Sequence, residues 1–224
     1  MARQELDRQL GELCAAVVHA GVLVDDAVAR ATEALTRHDT AVTRAVIAGD
    51  EEIDAVCARV DAMGACLIAR QQPALGDLRA VLAALAIAAE VERMGDHAAG
   101  IARLALRLPQ APADSVALGV SALSALVRVQ VRGALDAYRA GDTTRAGAIR
   151  AADDVVDQLY RGLVHALMEA MADEPTLVLT DTYLLWAAHS LERIGDRAAA
   201  ICGRVAYVAT GGPRAPRLPV PVAS

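Results

Sequence analysis

Four pairs of carboxylates spaced four residues apart, Asp50/Asp54, Glu92/Asp96, Asp153/Asp157 and Glu192/Asp196, stand out as the residues whose types and spacing could do chemistry. On a helix, residues four apart share one face, and like charges there repel by roughly 0.2–0.5 kcal/mol. Two such pairs facing each other across a helix interface would repel further unless a cation stood between them. Carboxylate oxygens with no convergent His or Cys suit Mg2+, Mn2+, Ca2+ or iron better than structural zinc, and the identity stays open. The competing reading is a solvated face balanced by Arg93 and Arg193, which sit beside the glutamates. Recurrence of the same pair types in both halves of the chain favours metal binding. Gly95 and Gly195 each precede the aspartate of a pair. A glycine inside a helix costs roughly 0.5–1 kcal/mol relative to Ala, so its double use predicts that something approaches the backbone there: a neighbouring helix, a ligand, or both.

Other chemistry finds less support. His97 and His189 could add nitrogen ligands, but neither has a counterpart in the other half. The acidic motifs do not read as the Glu-x-x-His pairs of a di-iron bundle. Gly-rich phosphate loops, Gly-x-Ser-x-Gly elbows and His-Glu-x-x-His motifs are absent from the sequence. Trp186, Met63, Met168 and Met171 read as core residues.

The elements that must position the acids follow from composition and punctuation. The 224 residues are 55% hydrophobic and 2% aromatic, with no Phe, and are rich in Ala. That composition excludes a disordered chain and suits an all-α fold of closely packed helices. Asp39 and Asp142 read as N-caps, Pro73 and Pro175 as breaks, and 108–114 as a linker. Six helices are predicted, near 3–37, 40–70, 75–107, 115–140, 143–172 and 176–209. Comparing the halves shows a duplication. Asp39-Thr40 answers Asp142-Thr143, Asp50 and Asp54 answer Asp153 and Asp157, and the run Val91–Ile101 answers Leu191–Ile201, with an offset drifting from 103 to 100. The predicted organisation is two tandem three-helix bundles related by an internal pseudo-repeat, over 1–108 and 115–209. Residues 210–224, which hold four prolines, are expected to be a mobile tail.

A net charge of −6, from 28 acidic residues against 22 arginines, argues against a nucleic-acid partner. Cys14, Cys57, Cys66 and Cys202 show no Cys-x-x-Cys spacing, and no leader-like segment precedes them, so reduced thiols in the cytoplasm are expected. The longest apolar run, Val81 to Ala89, is nine residues against the roughly 20 needed to span a bilayer, so no membrane crossing is expected.

The stretch Ala69-Arg-Gln-Gln-Pro-Ala-Leu-Gly-Asp-Leu-Arg-Ala-Val81, followed by Glu92-Arg-Met-Gly-Asp96 and Glu192-Arg-Ile-Gly-Asp196, resembles the PhoU family over nearly the whole chain. The resemblance implies two three-helix bundles and a cytoplasmic, homodimeric negative regulator of phosphate uptake rather than an enzyme. It implies docking to the ATPase subunit of a phosphate ABC transporter and to a phosphate-responsive sensor histidine kinase, with membrane contact only through those partners. It also implies iron or zinc held by acidic motifs, which Asp50, Asp54, Glu92 and Asp96 match in the first half and Asp153, Asp157, Glu192 and Asp196 in the second. Cys57 and Met63 stand where the family often has acids, and Ser190 replaces the acid found at Glu90, so each half would offer fewer ligands. The alternatives are a helical accessory protein of another membrane carrier and a carboxylate-bridged metalloenzyme.

Overall fold

The computed structural model describes residues 2–210, which form α1 (Ala2–Arg37), α2 (Thr40–Gln71), α3 (Leu75–Ala105), α4 (Asp114–Ala140), α5 (Thr143–Ala151), α6 (Asp153–Asp173) and α7 (Val178–Thr210), with a 3-10 turn at Pro175–Leu177. Among the described residues there is no strand. The predicted tail lies outside the described residues from position 211 onward.

The helix ends follow the punctuation. The Asp39 carboxylate accepts from the Ala41 and Val42 N–H groups, and the Asp142 carboxylate from Arg145 N–H, so both predicted caps are made. Just before each cap the chain turns through the left-handed region, at His38 (φ 54°) and Gly141 (φ 64°). The N–H groups of Asp39 and Asp142 then reach back to the carbonyls of Ala34 and Ala137, at 3.0 and 2.9 Å. Gln72 also adopts a left-handed conformation (φ 44°), and Pro73 follows it.

The single helix expected over 143–172 is corrected to two, α5 and α6, separated at Ala152 (φ −80°, ψ −5°). Asp153 and Asp154 occupy the first turn of α6. Negative charge is favoured there by the unpaired N–H groups of a helix start.

The first bundle packs α1, α2 and α3 together, and the second packs α4, α5, α6 and α7. The bundles join along α1 with α4 and α3 with α7, and their buried residues merge into one continuous core. The α1/α4 seam is antiparallel. Asp25 accepts two hydrogen bonds from Arg128, at 3.0 and 2.9 Å, and is also met by Arg132 at 3.0 Å. Asp25 and Arg128 are separated by 103 positions, the repeat offset itself, so this pair lies on the pseudo-two-fold axis. Away from the axis the two ends of the seam differ. At one end the buried Thr32 and Ser124 hydroxyls bond at 2.8 Å beside a polar groove that Arg37 and Arg128 help to line. At the related end, Leu135 lies over Gly21, leaving no room for a Cβ.

By length and composition α4 alone among the described helices would suffice to cross a membrane, a test that the core helix of a helical bundle also passes. It packs on α1 and α7, burying Val120, Leu123, Val127, Val131 and Ala134. Two sequence-predicted core residues are on the surface instead. Trp186 is 49% exposed, edge-on to Tyr183, because the buried stripe of α7 runs through 184, 187, 188, 191, 194 and 195 and leaves position 186 outside it. Met168 is 57% exposed, one residue past the buried Leu167. Met63 and Met171 do pack against the core.

Candidate functional site

The eight acids fall at equivalent places, on the α2/α3 junction in the first bundle and the α6/α7 junction in the second. The small residue at the crossing explains how each set assembles. A Cβ on Gly95 would lie 3.2 Å from Ile53 Cγ2 and 3.3 Å from Asp50 Oδ1. One on Gly195 would lie 3.0 Å from Gln130 Oε1, 3.4 Å from Val156 Cγ1 and 3.8 Å from Asp153 Oδ1. The glycines therefore admit both a packed helix and a carboxylate, and the two expected explanations hold together.

Asp50 is the most enclosed acid of the first set, with its side chain 13% exposed, whereas Asp54, Glu92 and Asp96 are exposed. In the second set Asp153, Asp157, Glu192 and Asp196 are all half-buried. The carboxylates act on one another. Burial, then repulsion by Asp54 and Asp96, holds Asp50 above the usual carboxylate range; burial, then Asp54, Asp96 and Asp61, does the same to Glu92. Asp153 is raised by burial and by Asp196, Asp157 and Asp154, against a Gln130 hydrogen bond that lowers it. Glu192 is raised by burial and by Asp196 and Asp157, with His189 and Arg193 opposing. Each enclosed aspartate has only a weak partner, Arg103 at 3.6 Å from Asp50 and Gln130 Nε2 at 3.4 Å from Asp153. Asp50 Oδ1 and Glu192 Oε2 are buried without a hydrogen-bond donor.

These features are a test of whether the residues fit the metal that the family resemblance implies. The donors are oxygens, they repel one another, and two of them accept no hydrogen bond; in chemistry they fit a cation. In geometry they provide pairs: among the described residues no three His, Cys, Asp or Glu side chains converge closely enough to hold a metal ion. Sulfur does not complete the shell. Cys57 is buried, its thiol points to the Ala88 carbonyl at 3.5 Å, and burial followed by the charges of Glu92, Asp54 and Asp61 pushes its pKa up to about 12. The four cysteines are free thiols.

The neighbouring residues are redistributed relative to the sequence reading. Arg193 pairs with Asp196 at 2.9 Å, as a balanced solvated face requires, but Arg93 turns to Glu90 at 3.2 Å. Glu90 also receives Arg197 at 2.9 Å across the α3/α7 seam, 107 residues away. Glu90 is thus a tie between the bundles, whereas at the equivalent position the Ser190 hydroxyl donates to the Trp186 carbonyl at 3.0 Å. His97 lies near Arg197 and Arg193; burial and then those cations push its pKa down. His189 is the histidine that reaches a predicted site residue, with Nδ1 3.5 Å from Glu192 Oε2 and its ring 6.2 Å from that of Tyr160. Gln130, Asp61 and Tyr160 are not among the expected site residues. Asp61 lies seven residues after Asp54, and Tyr160 seven after Asp153, which returns each to the acidic face of its helix.

Comparison with known proteins matches the geometry in both halves. The PhoU domain model matches residues 17–105 and again 120–205. The phosphate-specific transport system accessory protein PhoU homolog of Caulobacter vibrioides is 34% identical over 91% of this chain and 89% of its own length. The homolog of the same name from Rhizobium meliloti is 31% identical over 92% of this chain and 87% of its own. Among solved structures, PhoU from Pseudomonas aeruginosa superposes with a TM-score of 0.86 at 29% identity, covering 92% of this chain and 99% of that one. The phosphate transport system regulatory protein PhoU from Streptococcus pneumoniae gives the same TM-score and identity over 93% and 98%. With two matched domains, a duplicated helical bundle and paired acids at both helix crossings, the chain belongs to the PhoU family.

Proposed function

We propose that this protein is a negative regulator of phosphate uptake and of the phosphate-starvation response. It acts in the cytoplasm through contact with the ATPase subunit of a phosphate ABC transporter and with a phosphate-responsive sensor histidine kinase, as a homodimer and without catalysis. The observation that carries the reading is the presence, at both helix crossings, of an acidic set in a chain similar over nine-tenths of its length to accessory proteins of phosphate-specific transport. The surface offers charged helix faces, and transient signalling contacts need only about 1,200 Å2 or less of buried area.

In this reading Asp50, Asp54, Glu92 and Asp96, and likewise Asp153, Asp157, Glu192 and Asp196, hold a cation. When bound, it supplies the positive charge that opposes their repulsion and fixes the third long helix of each bundle against the second.

The test is a phosphate-starvation reporter read in phosphate-rich medium, in cells lacking the gene and after its restoration. Derepression on deletion and silencing on restoration are expected, and a reporter that stays silent on deletion counts against the reading. Pull-down of the ATPase subunit by the parent chain, and weaker pull-down by Asp96→Ala with Asp196→Ala, tests the metal-dependent docking face.

A further inference from the structure

Where the N-terminal part of α1 meets α3, the end of α4 and the end of α7, the helices leave a cavity of about 370 Å3. That volume falls in the range of about 300–1,000 Å3 typical of small-molecule sites. The space exists because α3 presents only Ala80 and Ala84 to it, opposite Leu10 and Leu13 of α1 and Val205 and Val208 of α7.

The polar groups of the lining gather on one side. Cys14 and Tyr138 lie together, and burial raises the pKa of each, so both stay protonated near neutral pH. Arg139 is the one charged residue among those lining the cavity, and no acid lines it. Its side chain is 67% exposed at the mouth and pairs with Asp136 at 3.3 Å, while Asp136 holds a second, closer partner, Arg145, at 2.9 Å. The acidic sets are not part of this cavity, and the related end of the α1/α4 seam carries the polar groove of Thr32 and Ser124 instead. The feature is therefore not a by-product of duplication.

We propose that this cavity binds a small amphipathic anion, an aliphatic monocarboxylate whose chain lies among Leu10, Leu13, Ala84 and Val205 and whose head meets Arg139. Apolar walls reward a hydrocarbon body. A single guanidinium at the polar side, with neutral hydroxyl and thiol donors beside it, selects a carboxylate over a cation.

Decanoate is the probe, titrated into the full chain by calorimetry below its micellar concentration, with one site expected. Arg139→Ala should weaken binding about tenfold, the equivalent of one charge-assisted hydrogen bond, and Arg139→Lys by less. Ala80→Leu, which fills the lumen from a half-buried position, should weaken it at least as much. Iodoacetamide labelling read peptide by peptide gives a second measurement on the parent chain. Decanoate should slow modification of Cys14 and leave the exposed Cys66 unchanged. The proposal is overturned if decanoate does not bind, if neither folded variant alters its binding, or if Cys14 and Cys66 are protected alike. It is also overturned if only phosphatidylglycerol vesicles protect Cys14, because the face would then be a contact for a lipid surface.

Discussion

Adding one methyl group at Gly95 separates a glycine required by the helix crossing from one that is merely tolerated. In an exposed or roomy helix position, Gly→Ala stabilises by about 1 kcal/mol. Gly100 in α3 and Gly203 in α7 are such positions, because a Cβ added at either would meet nothing within 4 Å. At Gly95 the methyl would sit 3.2 and 3.3 Å from two carbons of Ile53 and 3.3 Å from Asp50 Oδ1. Ile53 is 2% exposed and cannot retreat freely. Overpacking of this kind costs about 1–3 kcal/mol, so the helix gain is cancelled or reversed, and Gly95→Ala should fall between no change and about 2 kcal/mol of destabilisation. Gly195→Ala should behave similarly, with Gln130 Oε1 at 3.0 Å as the obstructing atom. Urea unfolding followed by circular dichroism, with Gly100→Ala and Gly203→Ala as internal controls, gives the comparison. If Gly95→Ala is stabilised as much as Gly100→Ala, the crossing does not need glycine, and the assembly of the acidic set must have another cause.

Three further outcomes are expected. Asp50→Asn with Asp153→Asn should stabilise the metal-free protein at pH 7 by on the order of 1 kcal/mol, from relief of carboxylate burial and then of several like-charge contacts. Both folded pKa values are raised, so the stability these groups contribute is complete below the unfolded value of about 4 and is lost as pH rises through the folded values. The variant's advantage over the parent should therefore grow from pH 4 to pH 7, and a pH-independent difference would contradict the burial and repulsion that raise these two carboxyls. Asp25→Ala leaves Arg128 and Arg132 without their shared partner at a carboxylate only 15% exposed, and should cost about 2 kcal/mol in thermal unfolding; a loss within experimental error would show the seam to be held by apolar packing alone. His38→Gly should gain about 1 kcal/mol, because His38 occupies the left-handed position that its counterpart fills with Gly141, and a loss of stability would mean that the imidazole makes a contact worth more than that strain.

The sequence exposes what is local and repeated. The duplication, the Asp39 and Asp142 caps and the i,i+4 acid pairs are all short-range patterns, and the structure contains each of them. Gly95 and Gly195 are legible as close approaches because residue type alone marks them, although not which side chains approach. Long-range partners leave no such mark. Nothing near Glu90 indicates that Arg197 will meet it, so an acid belonging to the seam resembles a ligand. Trp186 and Met168 mislead because an apolar side chain does not encode its helix face when it borders the buried stripe. The break at Ala152 is hidden because Ala is the best helix former, so residue type carries no stop signal there.

The Asp25–Arg128 pair gives the covalent linkage of the two halves a physical role. A residue on a two-fold axis between identical subunits faces its own copy. Two separate half-chains meeting along this seam would therefore set aspartate against aspartate, or arginine against arginine. Once both copies lie in one polypeptide, the two positions are free to diverge, and here they have taken opposite charges. Thr32/Ser124 and Leu135/Gly21 have diverged in the same way, one end of the seam joined by hydroxyls and the other by a leucine seated on a glycine. Along this seam the halves are complementary rather than interchangeable, each presenting the charge or shape that the other lacks.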